Sequence, residues 1–306
     1  MEDNGKYSTS QLFNFAKNSY LERTSRPVYA IVFLLPFIVF YELGTLLINT
    51  DVLNQTQVRV VAFVWLQELL EYVGFQGKLM WAAPALAVIV ILVALQLTSR
   101  KQWSFVPGDI WPMAVECILF AVPLIVLGLF LNNSGHKQGD SGWIDNSAVQ
   151  IRAEAVMNCA QVVSGSSATE SGLQTGINNA VIQQSLLADI VTGIGAGIYE
   201  ELVFRLILIC VLMLLFQDVF GISHKNSIIL SVFVSAALFS AHHHIVFLGG
   251  RFGHSAPFNW TEFGFRTVAG VYFAGLFAIR GFGITAGTHA FYDIIATVIN
   301  TVFFHQ

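Results

Sequence analysis

Three short clusters of ionisable residues stand inside apolar stretches of this 306-residue chain. The first is Tyr199-Glu200-Glu201-Leu202-Val203-Phe204-Arg205. Glu201 and Arg205 are four apart, hence on one face of a helix and able to pair. Glu200 is turned about 100° from its neighbour, because a helix has ~3.6 residues per turn. It can face a cavity while Glu201 is neutralised. Both glutamates could instead serve only to hold Arg205 in a buried ion pair, but one carboxylate is enough for that. The other, desolvated and close to a neutralised pair, suits a general base.

The second cluster, Phe239-Ser240-Ala241-His242-His243-His244, finishes an apolar segment. Its histidines could be metal ligands, an acid/base group or a polar end at the membrane interface. The third is His289-Ala290-Phe291-Tyr292-Asp293, whose His289 and Asp293 share a helix face. That spacing suits two ligands to one ion, a carboxylate orienting an imidazole, or a structural hydrogen bond between helices. Gly193 and Gly197, then Gly283 and Gly287, form two small-xxx-small patterns beside these residues. Such patterns let helix backbones approach closely in lipid. The expectation is that Glu200 meets His243 and His289; a separation above ~10 Å, beyond hydrogen-bond reach, would defeat it.

The elements that must position these groups are membrane helices. The chain is 55% hydrophobic and 11% charged, with a mean hydropathy of +0.65, too few charges to cover a soluble globule of this size. A span needs ~20 mostly apolar residues, which residues 27–49, 79–97, 111–131, 227–248 and 284–304 supply. The run 186–216 exceeds one span, so it is tilted, broken or two pieces in series. Residues 265–280 are marginal in length, and 60–75, with Glu68 and Glu71, reads as an amphipathic interfacial helix. The expected fold is an all-α, polytopic transmembrane bundle of about seven or eight spans.

Ionisable groups within a bilayer cost ~2.5–3.5 kcal/mol by insertion scales and therefore usually face a cavity and serve function. The chain divides into an N-terminal membrane region at 1–131 with about three spans, a polar and extracytoplasmic loop at 132–185, and a membrane core at 186–304 that holds the chemistry. Lys6, Lys17, Arg23 and Arg26, with Arg100 and Lys101, put the N-terminus in the cytoplasm. Arg59, Lys78, Lys137, Arg152, Arg251 and Arg266 fall on the opposite side and keep the asymmetry modest. The first span reads as an uncleaved signal anchor, and the expected location is a bacterial inner membrane. A net charge of −4 argues against a nucleic-acid partner. Cys117, Cys159 and Cys210 have neither paired nor metal-type spacing.

In order and spacing, Glu-Glu-x-x-x-Arg, Phe-x-x-x-His and His-x-x-x-Asp/Asn resemble the signature of the CPBP family, the CAAX prenyl protease type 2 and bacteriocin-processing intramembrane peptidases. Here these positions are Glu200, Glu201, Arg205, Phe239, His243, His289 and Asp293, within about 185–304. The stretch Ala278-Ile279-Arg280-Gly281-Phe282-Gly283-Ile284 is similar to the family's approach to its last motif. The resemblance implies an intramembrane endopeptidase in which Glu200 activates water with help from His243, while Glu201 and Arg205 form a supporting pair. It implies that His289 and Asp293 stabilise the oxyanion or bind a metal. Glu200, His243, His289 and Asp293 are then the residues for a divalent ion such as zinc, since the family has been described both as metallopeptidases and as metal-free glutamate peptidases. The CAAX enzymes typically carry Asn where Asp293 stands, and an ionised Asp cannot donate to an oxyanion.

The implied partners are membrane lipid and a peptide or membrane-associated protein substrate; no oligomeric state is implied. The chain lacks His-Glu-x-x-His, a membrane-embedded Gly-x-Ser and Gly-x-Gly-Asp, which argues against other intramembrane peptidase classes. A non-catalytic transporter or bacteriocin-immunity-type protein could use the same polar cavity. In a simple zigzag of spans His243 and His289 would lie at different depths, so a re-entrant or broken helix at 265–280 is expected to bring them level.

Overall fold

The computed structural model describes residues 15–16, 18–51, 61–75, 82–135, 170–248, 251–254 and 258–303. A short α1 (Tyr20–Thr24) is capped by Ser19, whose hydroxyl accepts from the Glu22 amide at 3.3 Å. It leads into α2 (Pro27–Asp51). α3 (Val61–Tyr72) has 12 residues, too few to span, as the amphipathic reading of 60–75 required. α4 (Ala83–Ser99) begins with Pro84 in its first turn and ends at Arg100, which takes a left-handed conformation at φ 53°. A single 3₁₀ turn (Pro107–Asp109) opens α5 (Ile110–Gly135).

α6 (Glu170–Glu201) continues without a break into a π-helical segment (Leu202–Leu208), α7 (Ile209–Leu214) and a second π-helical segment (Leu215–Val219). The long apolar run is therefore one rod: its spanning part, Leu186–Val219, has 34 residues. At 1.5 Å per residue that is about 51 Å, well over the ~30 Å hydrocarbon core, so it must tilt or project. α8 (His224–His242), α9 (Trp260–Arg280) and α10 (Phe282–Phe303) complete the bundle.

Among the described residues six helices are long and apolar enough to cross a membrane, and Ala83–Ser99 is a shorter apolar helix of 17 residues. The chain is thus a polytopic helical bundle. Among the described residues one β-hairpin departs from the all-α expectation: Ile245–Leu248 (β1) pairs antiparallel with Arg251–His254 (β2). The expected span at 227–248 consequently stops at His242, where three successive polar histidines meet the end of the apolar run. The expected break at 265–280 is likewise absent. Asn259 caps α9 by accepting from the Thr261 amide at 2.9 Å, and Glu262 pairs with Arg266 one turn on at 3.4 Å, so polar residues extend the marginal apolar run to a full 21-residue helix. Of the expected 132–185 loop, 136–169 lies outside the described residues, while 132–135 and 170–185 prolong the helices on either side.

α10 is the central helix. Its spanning window is 61% buried, against 17% for Pro107–Leu131, and it packs on α6, α5, α2 and α9. Gly281, at φ +78°, makes the turn between α9 and α10, a conformation that glycine adopts without steric cost. Close approach explains both glycine patterns. A Cβ at Gly197 would lie 2.5 Å from the Ala290 nitrogen, and one at Gly193 would lie 2.7 Å from the Asp293 Cβ. Gly283 faces the Ala30 backbone, and Gly287 faces Phe33 and Cys117.

Candidate active site

The Gly197–Ala290 contact fixes what comes next along both helices. One turn beyond Gly197 stand Glu200 and Glu201, and beside Ala290 stands His289, so the carboxylates and the imidazole meet inside the bundle. Glu201 is 0% exposed and Glu200 4%. His289 Nδ1 lies 2.8 Å from Glu201 Oε1; since an ionised carboxylate only accepts, the imidazole donates. Arg205 Nε lies 3.1 Å from Glu201 Oε2. Glu201 is thus held from both sides.

Arg205 sits in the π-helical segment that begins one residue after Glu201, a local geometry frequent at functional sites. Its guanidinium lies 4.2 Å from the centre of the Phe239 ring and 5.6 Å from that of Phe273, a cation–π arrangement strengthened by desolvation. Its Nη2 donates to the Gly270 carbonyl at 3.5 Å. Phe273 also stacks on His289, with centroids 4.6 Å apart.

Glu200 faces a different set. His242 Nε2 lies 3.4 Å from its Oε1, and His289 Nε2 lies 4.0 Å from its Oε2. Asp293 Oδ2 is 3.5 Å from the same His289 nitrogen. His243 is half-buried, its ring edge-on to Phe239 at 5.3 Å and 4.1 Å from the His242 ring. His244 packs on Phe258 and Phe263. Glu200, His242 and His243 each offer a ligand atom, all within 4.8 Å of one another, the one such group found among the described residues. Glu200 Oε2, Glu201 Oε2, Arg205 Nη1 and Thr288 Oγ1 are buried without a hydrogen-bond partner among the described residues. Buried polar atoms rarely stay that way.

All six residues singled out from the sequence, Glu200, Glu201, Arg205, His243, His289 and Asp293, converge on this pocket. The full-length α9 does not prevent it: each of the two adjacent carboxylates on α6 reaches one histidine, Glu200 that of α8 and Glu201 that of α10. The Phe-x-x-x-His resemblance singled out His243 from the three adjacent histidines, and the structure brings His242 to Glu200 as well. It also adds Trp65 of α3, whose ring lies 5.8 Å from that of His242, and Glu42 of α2, which accepts from the Tyr199 hydroxyl at 3.2 Å. Glu42 was visible in the sequence as a lone acid in the apolar run 27–49; nothing in the sequence pointed to Trp65.

Residues 182–295 match the family model described as type II CAAX prenyl endopeptidase Rce1-like. No curated protein and no solved structure matches the chain. The match spans every one of the six converging residues and lies within the second half of the chain, where the signature resemblance lay. The region that brings the charged residues together is similar to the type II CAAX prenyl endopeptidase Rce1-like family.

Proposed function

We propose that this protein is an intramembrane endopeptidase that hydrolyses a peptide bond at or within the membrane with water activated by Glu200. One observation carries the reading: the two adjacent carboxylates are treated differently. Glu201 lies between the Arg205 guanidinium at 3.1 Å and the His289 imidazole at 2.8 Å, whereas Glu200 faces imidazole nitrogens at 3.4 and 4.0 Å; Oε2 of each has no hydrogen-bond partner among the described residues. One carboxylate is structural and the other is available.

In the reaction, Glu200 takes a proton from water as the water oxygen bonds to the scissile carbonyl carbon and the carbonyl electron pair moves onto its oxygen. That proton then passes to the amine nitrogen as the C–N bond breaks, which balances hydrolysis. With Nδ1–H committed to Glu201, His289 can donate to the oxyanion from Nε2 only as an imidazolium, and the Glu201 carboxylate stabilises that charge. Asp293, 3.5 Å from Nε2, orients the ring. Glu201 and Arg205 keep the pocket assembled.

A divalent cation such as zinc fits the same residues. Glu200, His242 and His243 would hold it, and the contact of His242 Nδ1 with a backbone carbonyl is the outer contact typical of metal-bound imidazoles. When bound, such an ion supplies Lewis-acid polarisation of a carbonyl. Of the other residues expected as ligands, His289 has Nε2 4.0 Å from Glu200 Oε2 and 3.5 Å from Asp293 Oδ2.

The substrate is a peptide or a membrane-associated protein, a lipidated C-terminus being one form suggested by the name of the matching family. On the same footing we infer a bacterial inner membrane and a cytoplasmic N-terminus. The support for that orientation is Arg23, Arg26, Arg100, Lys101 and Arg280 at one end of the bundle, where Arg280 donates to Thr24 and to the Leu21 carbonyl. The test compares new peptide termini in membranes carrying wild type or Glu200→Gln at equal, folded abundance. Termini that appear only with wild type support the peptidase and name its substrate. Identical profiles favour a transport or immunity role for the pocket.

A further inference from the structure

The Phe-x-x-x-His spacing would put His243 on the same helix face as Phe239 and make it the imidazole beside Glu200. That reading assumes that the helix continues. α8 instead ends at His242, and its last turn tightens: the His243 amide donates to the Ser240 carbonyl at 3.3 Å and the His244 amide to the Ala241 carbonyl at 3.0 Å. The Phe239 carbonyl is thereby released from its usual amide partner four residues on, and His242 Nδ1 takes it at 2.5 Å. A carbonyl only accepts, so Nδ1 carries the hydrogen. This fixes the ring and aims Nε2 at Glu200 Oε1, 3.4 Å away; a carboxylate also only accepts, so Nε2 holds Oε1 when it too carries a hydrogen, as in the imidazolium.

Packing holds the same orientation. The His242 ring lies 4.8 Å from Phe204, 5.5 Å from Phe239 and 5.8 Å from Trp65, centre to centre. His242 is buried, whereas His243 is half-buried. We propose that His242, one residue ahead of the pattern position, is the imidazole that positions Glu200, holding Oε1 so that Oε2 meets the attacking water. The assignment rests on the peptidase reading above.

The experiment uses the full chain in membranes and a synthetic peptide spanning the cut site found by the termini comparison. His242→Ala lowers kcat about 100-fold or more, the lower range for a group assisting proton transfer, with KM within about threefold of wild type. His242→Gln, whose amide can still donate towards Glu200, recovers about tenfold of that loss. Thermal unfolding of each purified variant verifies that folded protein is compared. The proposal is overturned if His242→Ala keeps kcat within about fivefold of wild type, outside the range for such a group. It is also overturned if the His242→Gln and His242→Ala losses are equal and track a common fall in melting temperature, which is a purely structural role. If Glu200→Gln leaves the termini profile unchanged, the peptidase reading fails and this assignment falls with it.

Discussion

The protein buries charge in two places and treats it in opposite ways. At the end of the bundle where α9 turns into α10, Arg280 donates to both oxygens of Glu116 at 2.5 and 2.7 Å, to Thr24 Oγ1 at 2.9 Å and to the Leu21 carbonyl at 3.0 Å. Tyr20 completes Glu116 at 2.8 Å. Beside this knot, Arg23 donates to both oxygens of Asp109 at 3.0 and 2.9 Å, and the Tyr29 hydroxyl adds a third bond at 2.9 Å. Bidentate, charge-assisted bonds of this kind are the strong ones. In the central pocket the contacts stretch from 2.8 to 4.0 Å, and Glu200 Oε2 and Arg205 Nη1 have no hydrogen-bond partner among the described residues. A knot that closes every valence fastens helices together; a pocket that leaves valences open can accept a reacting molecule.

The contrast is sharpest at Glu200. Glu200→Gln removes the base and keeps the volume, so cleavage should fall by about 10²- to 10⁴-fold, while the melting temperature in detergent holds or rises, because a desolvated charge has been deleted. A variant that cleaves normally, or that unfolds, would erase the distinction between the two regions. Arg205→Met should do something different. It removes one of the two groups that hold Glu201 and leaves the buried carboxylate with His289 alone, at a cost of up to about 3–5 kcal/mol, and activity and folded yield should fall together. Next comes the knot: Arg280→Ala should lower stability by about 1.5–3 kcal/mol, the range for hydrogen bonds to charged groups, and leave kcat of the folded fraction unchanged. If Arg280→Ala abolished cleavage at unaltered melting temperature, the knot would belong to the machinery and the comparison would have to be redrawn.

Much of this could be read from residue types and spacing. The carboxylate pair, the arginine four residues on and the His289–Asp293 pair needed only helical periodicity, and the two glycine patterns pointed to the helix contacts that assemble them. The spans were legible wherever the apolar run was long and free of charge, as at Pro27–Ile48 and Phe282–Val302. What periodicity missed lay at helix ends. It carried α8 through three histidines to 248, although the helix stops at His242. It also shortened α9, because a span assembled from apolar length alone leaves out a capping asparagine and a Glu262–Arg266 pair. Contacts between segments remote in sequence, such as Trp65 with His242, leave no local pattern.

The smallest effect expected concerns the rim of the knot. Glu22 and Arg26 are one turn apart, with Arg26 Nη2 at 2.6 Å from Glu22 Oε2, and the Arg26 guanidinium hydrogen bond holds the Glu22 carboxyl below its ordinary value. A carboxylate with a depressed folded-state pKa contributes stability that is complete above its unfolded value, ~4.3, and is lost as pH falls through the folded value. Thermal unfolding of wild type and Glu22→Gln, followed from about pH 7 to about pH 3, should therefore show a wild-type advantage at the upper end that shrinks below ~4.3. Glu22 is partly exposed, so solvent screens the pair, and the advantage is small and weakens further in high salt. The same pH series on Arg280→Ala separates rim from centre: an unchanged acid-induced loss there would mean that the Glu22–Arg26 pair acts independently of the Arg280–Glu116 bonds, as expected for groups that share no partner.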